Sequence, residues 1–516
     1  MRIIYFDIDT LRPDHLGCYG YHRDTSPNID ALAAAGTRFD NVYASDVPCL
    51  PSRTALITGR FGIQTGVVNH GGRGANLDLA PEGAQRSFLS ELSVQSWAAR
   101  FFWKGYRTAS FSSFPIRHAA TWWTVGFQEM IDASRGMGGE TADRVVPDVL
   151  GWIDRHGRED HWFCHVHLWD PHTPYNTPPA FGNPFEGDPI PAWYTEDVRA
   201  RHWGLPGPHS AQEPFGFRPD EFGDAGARQP IDLADLPAVK VMFDGYDVGI
   251  RYADDHVGRV LSKLDEVSAL DDTLVMVASD HGEGFGELGV YADHQAADEA
   301  TAHIPMILRG PGVPVGVDRS LHYHLDVGAT VTELAGATPP AVWDGTSFAA
   351  ALRDGREEGR EFLVTSQGAW SCQRGLRTGD HLYLRTMHSG YHDWADEMLF
   401  DLSTDPHEQH DLAGERPELV MAASQQLDRW ITEQLAASVD HVDPLVIVMA
   451  EGGPFHTRGR LRAYLERLRT TGRGQWADLL AERYAADLDV RPAISDALIE
   501  AFASLNPKLA GKLKPA

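Results

Sequence analysis

The sequence predicts an α/β fold built on a large, mainly parallel β-sheet flanked by helices, and three observations carry that expectation. Short apolar runs that read as buried strands alternate with stretches of helical periodicity. Acids and histidines stand at or just after the carboxyl ends of those runs, where open parallel sheets gather their chemistry. A chain of 516 residues with 42% hydrophobic content is long enough for one dominant core and a smaller second domain.

The first strand is Ile3 to Asp9, an apolar run that ends in acid. Ile29 to Ala35 has helical composition and stops at Gly36, and Thr37 to Tyr43 is the next strand, leading towards Cys49. Tyr106 to Phe111, Trp162 to Leu168 and Thr273 to Ala278 continue the sheet. Ahead of the last of these, Tyr246 to Leu264 places Ile250, Val257, Leu261 and Leu264 on one helical face. From Pro174 to Pro237 the chain is rich in Pro, Gly and aromatic residues such as Trp193, Tyr194, Trp203, Phe215 and Phe217, the composition of an ordered lid.

A charged stretch from Arg353 to Glu361 divides a catalytic domain, 1–355, from a smaller C-terminal α+β subdomain, 356–440. The subdomain carries strand-like runs at Phe362 to Ser366 and His381 to Leu384 and a helix reaching Leu435. A helical tail, 441–516, follows. It sets Leu461, Leu465 and Leu468 against Arg460, Arg462, Arg467 and Arg469, and a second apolar-faced helix runs from Ala493 to Leu505. Subunit contact, and with it a homo-oligomer, is the expected role of these faces, ahead of a substrate role.

The 45 basic residues against 73 acidic ones give a formal charge of −28, which excludes nucleic acid or an anionic membrane surface as the main partner. An anionic substrate must then be captured by a local positive site. Four widely spaced cysteines, Cys18, Cys49, Cys164 and Cys372, form no disulfide framework and no metal-binding pattern, which suits a reducing compartment. The chain opens directly into a core strand and contains no run of membrane-spanning length, so cytoplasmic residence is the expectation.

The most informative stretch is Cys49-Leu50-Pro51-Ser52-Arg53, running on to Gly59-Arg60. Pro51 suits the first position of a short helix and Gly59 a natural stop, so free N–H groups would face Cys49 and make an anion site beside a thiol. The segment resembles the signature of the type I sulfatases of the alkaline phosphatase superfamily. In that family the Cys of Cys-x-Pro-x-Arg is oxidised to formylglycine by a formylglycine-generating enzyme. The resemblance implies that Cys49 is that residue, that one hydroxyl of the hydrated aldehyde attacks sulfur, and that the other later expels sulfate. It also implies that Arg53 holds the diol and reaches towards a metal.

Asp7 and Asp9 share a face of the first strand because side chains alternate, and Asp9 opens the run Asp9-Thr10-Leu11-Arg12-Pro13-Asp14-His15, which resembles the sulfatase N-terminal motif. Many family members carry two adjacent acids there; here the second position is Thr10. Ser279-Asp280-His281-Gly282-Glu283 matches a second family element. The resemblance therefore implies a metal site of Asp9, Asp280, His281 and Cys49, with Thr10 at the variant position; Asp7, on the same strand face, reads equally as support for that site or as a capped strand-end carboxylate. Its oxygen-rich ligands suit calcium, while His281 also admits manganese or zinc.

Pro171-His172, following the strand Cys164 to Leu168, resembles the family position of the His that protonates the departing alcohol, so His172 is the expected general acid. His165 and His167 read as satisfied core histidines. Two departures stand out. The family's Gly-Lys-x-His is absent, leaving Arg117 or His118 to bind the anion, and a sulfate-binding Lys is replaced near Tyr291-Ala292-Asp293-His294, where His294 is the substitute. Together these residues imply an enzyme that hydrolyses the sulfate monoester of a small molecule or saccharide. A phosphonate monoester or phosphodiester hydrolase with the same nucleophile is the first alternative, and a non-catalytic anion-binding protein is the second.

Overall fold

The computed structural model describes residues 1–77, 91–132, 139–217 and 228–492. The helix expected from Ala493 to Leu505 lies outside the described residues. Among the described residues thirteen strands form: β1 (Arg2–Ile8), β2 (Thr37–Tyr43), β3 (Asp46–Val47), β4 (Arg107–Phe111), β5 (Glu129–Ile131), β6 (Trp162–Leu168), β7 (Thr273–Ala278), β8 (His303–Arg309), β9 (Gly316–Tyr323), β10 (Phe362–Gln367), β11 (Cys372–Thr378), β12 (His381–His388) and β13 (Glu397–Asp401). Eight form one sheet in the order β5-β4-β6-β1-β7-β8-β2-β9, with only β8 antiparallel to its neighbours, which makes the sheet mainly parallel as expected. The other five form a second sheet in the order β13-β12-β11-β10-β3. Its last member, Asp46–Val47, belongs to the segment leading into Cys49, so the two sheets are stitched together beside that residue.

Both faces of the large sheet are covered at its centre, where β1, β6, β7 and β8 are buried along almost their whole length. Along β1, Ile4, Phe6 and Ile8 pack under the helices Ala142–His156 and Leu236–Glu266, while Ile3 and Tyr5 pack with Leu56, Ile57 and Trp97 on the other side. Each such fully buried side chain contributes about 1.5–3 kcal/mol. The alternation decides where the acids point. Asp7 and Asp9 have the parity of Ile3 and Tyr5, so they emerge on the side of the Cys49–Thr58 helix. In the adjacent strand Tyr5 pairs with His165 and Asp7 with His167, which puts both histidines on that side as well.

The helix at Cys49 differs from expectation at its start. It begins at Cys49 itself, with Pro48 as the N-cap and Pro51 in the third position of the first turn, where a missing N–H is still harmless. Gly59 ends it in the left-handed conformation at φ 67°, and a Cβ there would lie 2.3 Å from the Trp343 ring.

Trp193, Trp203 and Phe217 of the aromatic 174–217 segment are half-buried, and Tyr194 and Phe215 are fully buried. The helix Leu461–Thr470 buries Leu461, Tyr464, Leu465 and Leu468 against Tyr391, Ala477 and Leu480 of its own chain. The face expected to meet another subunit is therefore closed within the molecule. Arg467 and Arg473 fasten it further, each 2.5 Å from the buried carboxylate of Glu213 in the aromatic segment.

Candidate active site

Strand order brings the chemistry together. β6, β1 and β7 lie side by side, and the residues just past their carboxyl ends are His172, Asp9 and Asp280-His281. The Cys49 helix places its first residue over this row: Cys49 Sγ lies 3.0 Å from His281 Nε2. The ligand atoms of Asp9, Cys49, Asp280 and His281 all fall within 4.8 Å of one another. His281 Nδ1 donates to the Gly282 carbonyl at 2.9 Å, which leaves the Nε2 lone pair directed at the cluster.

Arg53 stands at the centre of the charges. Its Nε is 2.7 Å from Asp7 Oδ2, and its Nη1 is 2.6 Å from Asp280 Oδ2 and 3.0 Å from Asp9 Oδ2. Three sealed carboxylates thus share one guanidinium. Burial and the neighbouring Asp9 push the Asp280 carboxyl well above the usual carboxylate range, although Arg53 opposes that shift. Asp9 Oδ1 and Thr10 Oγ1 are buried without a hydrogen-bond partner, and Thr10 holds a left-handed φ of 58° that a β-branched residue rarely adopts. A divalent cation would balance three carboxylates against one guanidinium and engage the orphaned oxygens, so the residues present fit a metal. Arg53, expected to hold the nucleophile, spends its donors on Asp7, Asp280 and His167 instead.

His167 departs from its expected role as a bystander in the core. Its Nε2 lies 2.8 Å from Arg53 Nη2 and 3.1 Å from Asp9 Oδ2, and Ser112 Oγ meets its Nδ1 at 2.9 Å. His165 bridges Asp7 and Ser110 in the same way, one layer deeper. The alternation of His165 and His167 is visible in the sequence. Their register against Asp7 is not, and without it nothing marks them as site residues.

His172 Nδ1 donates to the Thr173 carbonyl at 2.5 Å, and its ring lies 5.6 Å from that of His294. The His294 ring is 4.2 Å from that of His281, and its Nδ1 is 3.2 Å from Glu283 Oε2. Burial pulls His172 and His281 down to about 4 and His294 to about 3, so all three are neutral at pH 7. Burial, reinforced by Asp9 and Asp280, pushes the Cys49 thiol well up, which keeps it protonated.

The two candidates for the missing anion clamp separate. Arg117 is exposed and stacks over Trp169 at 4.8 Å. His118 turns inward, 5.0 Å from the His70 ring. His70 was not singled out by the sequence; its Nε2 accepts at 3.5 Å from the N–H of Leu50, the residue after Cys49.

Comparison with known proteins agrees with this geometry. Residues 2–337 match the family model described as Sulfatase. The chain is 27% identical over 351 residues to iduronate 2-sulfatase of Homo sapiens, covering 60% of each chain. It is 25% identical over 426 residues to choline-sulfatase of Rhizobium meliloti, with 75% of this chain and 77% of that one aligned. Among solved structures, that of a 2-O GAG sulfatase superposes with a TM-score of 0.63 at 20% identity, covering 84% of this chain and 92% of the other. That likeness establishes the shared fold.

Proposed function

The chain belongs to the sulfatase family, and from that premise we propose that it hydrolyses a sulfate monoester to an alcohol and inorganic sulfate. The observation that carries the reading is Cys49 at the head of a buried helix, 3.0 Å from His281 and within ligand distance of Asp9 and Asp280. A buried, protonated thiol is a poor nucleophile, so we take Cys49 to be the site of conversion to formylglycine, whose hydrate supplies an attacking hydroxyl. Asp9, Asp280 and His281 would hold a divalent cation, calcium first, with manganese or zinc as alternatives. Bound there, it supplies positive charge to the sulfuryl oxygens.

The chain's own side chains do the rest. Arg53 keeps the three carboxylates in register and prevents their mutual repulsion from opening the site. The imidazole of His294, 4.2 Å from that of His281 and steadied by Glu283, faces the sulfate. His172, held neutral by its burial, gains a proton more readily once an anion lies beside it, and Nε2 then delivers that proton to the departing oxygen. Arg117, on the rim, draws anions towards the opening. Four unpaired thiols support residence in a reducing compartment.

The test is the mass of the peptide holding Cys49, from protein co-expressed with a formylglycine-generating enzyme, alongside sulfate release from 4-nitrophenyl sulfate. A peptide lighter by the thiol-to-aldehyde change, in a preparation that releases sulfate, supports the reading. Unmodified Cys49 with no sulfate release overturns it.

A further inference from the structure

A set of aromatic and imidazole side chains beside the nucleophile is contributed by parts of the chain far apart in sequence. His70 Nε2 accepts from Leu50 N–H, so the His70 proton resides on Nδ1, which donates to His456 Nε2 at 2.9 Å. The His456 ring stacks on Trp370, with centroids 4.4 Å apart and planes 20° from parallel. Trp370 meets the edge of His209 at 5.2 Å, and His209 Nε2 is 2.8 Å from Asp293 Oδ2, next to His294. The chain of contacts thus runs from the residue after Cys49 round to the neighbour of His294. His209 comes from the aromatic segment, Trp370 from the turn between β10 and β11, and His456 from the C-terminal tail. Trp370 and His456 lie beyond residue 337, outside the part of the chain that matches the family model.

The chemistry of this wall is distinctive. None of its members is Lys or Arg. Burial, with His118 and His456 adding to it, holds His70 well below the ordinary histidine range, so its imidazole is neutral. His209 Nδ1 and His118 Nε2 are buried without a hydrogen-bond partner. With His209 Nε2 engaged by Asp293, His209 Nδ1 is left to accept from a hydroxyl, His118 Nε2 stands open in the same wall, and Trp370 offers an indole to pack against a ring. The Asp293 carboxylate, kept ionised despite its burial by His209 and by the backbone N–H of His294, would repel a second anionic group.

We propose that His70, His118, His209, Trp370 and His456 form the subsite for the alcohol portion of the substrate, and that it takes an uncharged polyhydroxylated ring. The substrate is then a saccharide whose only anionic group at this end is the sulfate to be removed. His456 is a specificity-determining residue supplied by the tail. This inference rests on the sulfate-ester reading above.

The experiment uses the full-length matured enzyme on hexoses sulfated singly at each hydroxyl, their disulfated counterparts, and 4-nitrophenyl sulfate. At least one monosulfated hexose should exceed every disulfated one by about tenfold or more in kcat/KM. His456→Ala should cut that preferred kcat/KM about tenfold, chiefly through KM, and shift the ratio of saccharide to nitrophenyl ester by a similar factor. His456→Gln, which keeps an acceptor for His70 Nδ1–H, should restore most of the loss. A preference for disulfated hexoses, cleavage of the nitrophenyl ester alone, or an equal loss on every ester in His456→Ala would each overturn the proposal. The wild-type panel needs no variant to fold. Absence of sulfate release from every ester, the nitrophenyl one included, would instead overturn the underlying reading.

Discussion

Arg53 and Asp7 meet in a two-pronged ion pair, Nε to Oδ2 at 2.7 Å and Nη2 to Oδ1 at 3.1 Å, sealed from solvent between β1 and the Cys49 helix. Asp7 contacts Arg53 and His165, and its work is to aim the guanidinium. Asp7→Asn keeps the shape but removes the charge that Arg53 faces. It should lose about 2 kcal/mol of stability, the scale of a buried charge-assisted hydrogen bond, in urea unfolding. An Asp7→Asn protein as stable as the wild type would show that Asp9 and Asp280 alone fix Arg53.

The excess of buried carboxylate over guanidinium leaves negative charge in the cluster that Arg53 does not balance, and a cation should relieve that. Chelator treatment should therefore lower the Tm of the wild type. At a free cation concentration near one hundred times Kd the bound ion contributes about 2.7 kcal/mol. Asp9→Asn should hold less metal by elemental analysis and show a smaller chelator shift. A wild-type Tm indifferent to chelator would count against a metal at these residues.

Glu287 gives a pH-dependent prediction away from the metal ligands. Burial alone would raise its pKa, yet the Arg12 guanidinium at 2.9 Å and His407 at 3.0 Å bring it from 4.5 down to about 2. A carboxylate depressed on folding adds stability that is fully present above the unfolded value and lost as pH falls through the folded one. The wild type should exceed Glu287→Gln by on the order of 3 kcal/mol at pH 7. That advantage should fall to less than half by about pH 3, as the group takes up its proton between the two values. Unfolding titrations at both pH values measure it, and an advantage that does not shrink in acid would refute the ion-pair origin.

The large sheet could be read from the sequence because both its faces are covered: β2, β6 and β7 carry uninterrupted or alternating apolar patterns, and their bounds match expectation to the residue. Asp9, Cys49, Asp280 and His281 were legible because each follows a strand or heads a helix within a local motif. His167 was hidden because its meaning depends on pairing with Asp7 across β1 and β6, and register is a tertiary property. His70, Trp370 and His456 carried no local signal; only packing of the tail against the catalytic domain brings His70 and His456 together, 386 positions apart. The tail helix Leu461–Thr470 misled for a related reason. An apolar stripe announces that a partner exists but not whose, and here Tyr391, Ala477 and Leu480 of the same chain fill the role.

The assignment of the general acid yields the sharpest kinetic test. Protonation matters in proportion to the basicity of the departing oxygen: an alkoxide cannot leave without a proton, whereas 4-nitrophenolate can. His172 and His294 both stand near Cys49, their rings 5.6 Å apart, but their second nitrogens are used differently. His172 Nδ1 donates to a backbone carbonyl, which leaves Nε2 to carry a mobile proton, while His294 Nδ1 faces the Glu283 carboxylate, which anchors the ring for binding. His172→Asn should therefore lower kcat/KM for an alkyl sulfate by about 10²–10⁴ and for 4-nitrophenyl sulfate by far less. His294→Asn should lower both esters by similar factors, because it weakens the hold on the sulfate common to the two. The reverse pattern, with the leaving-group dependence appearing in His294→Asn, would exchange the roles of the two histidines.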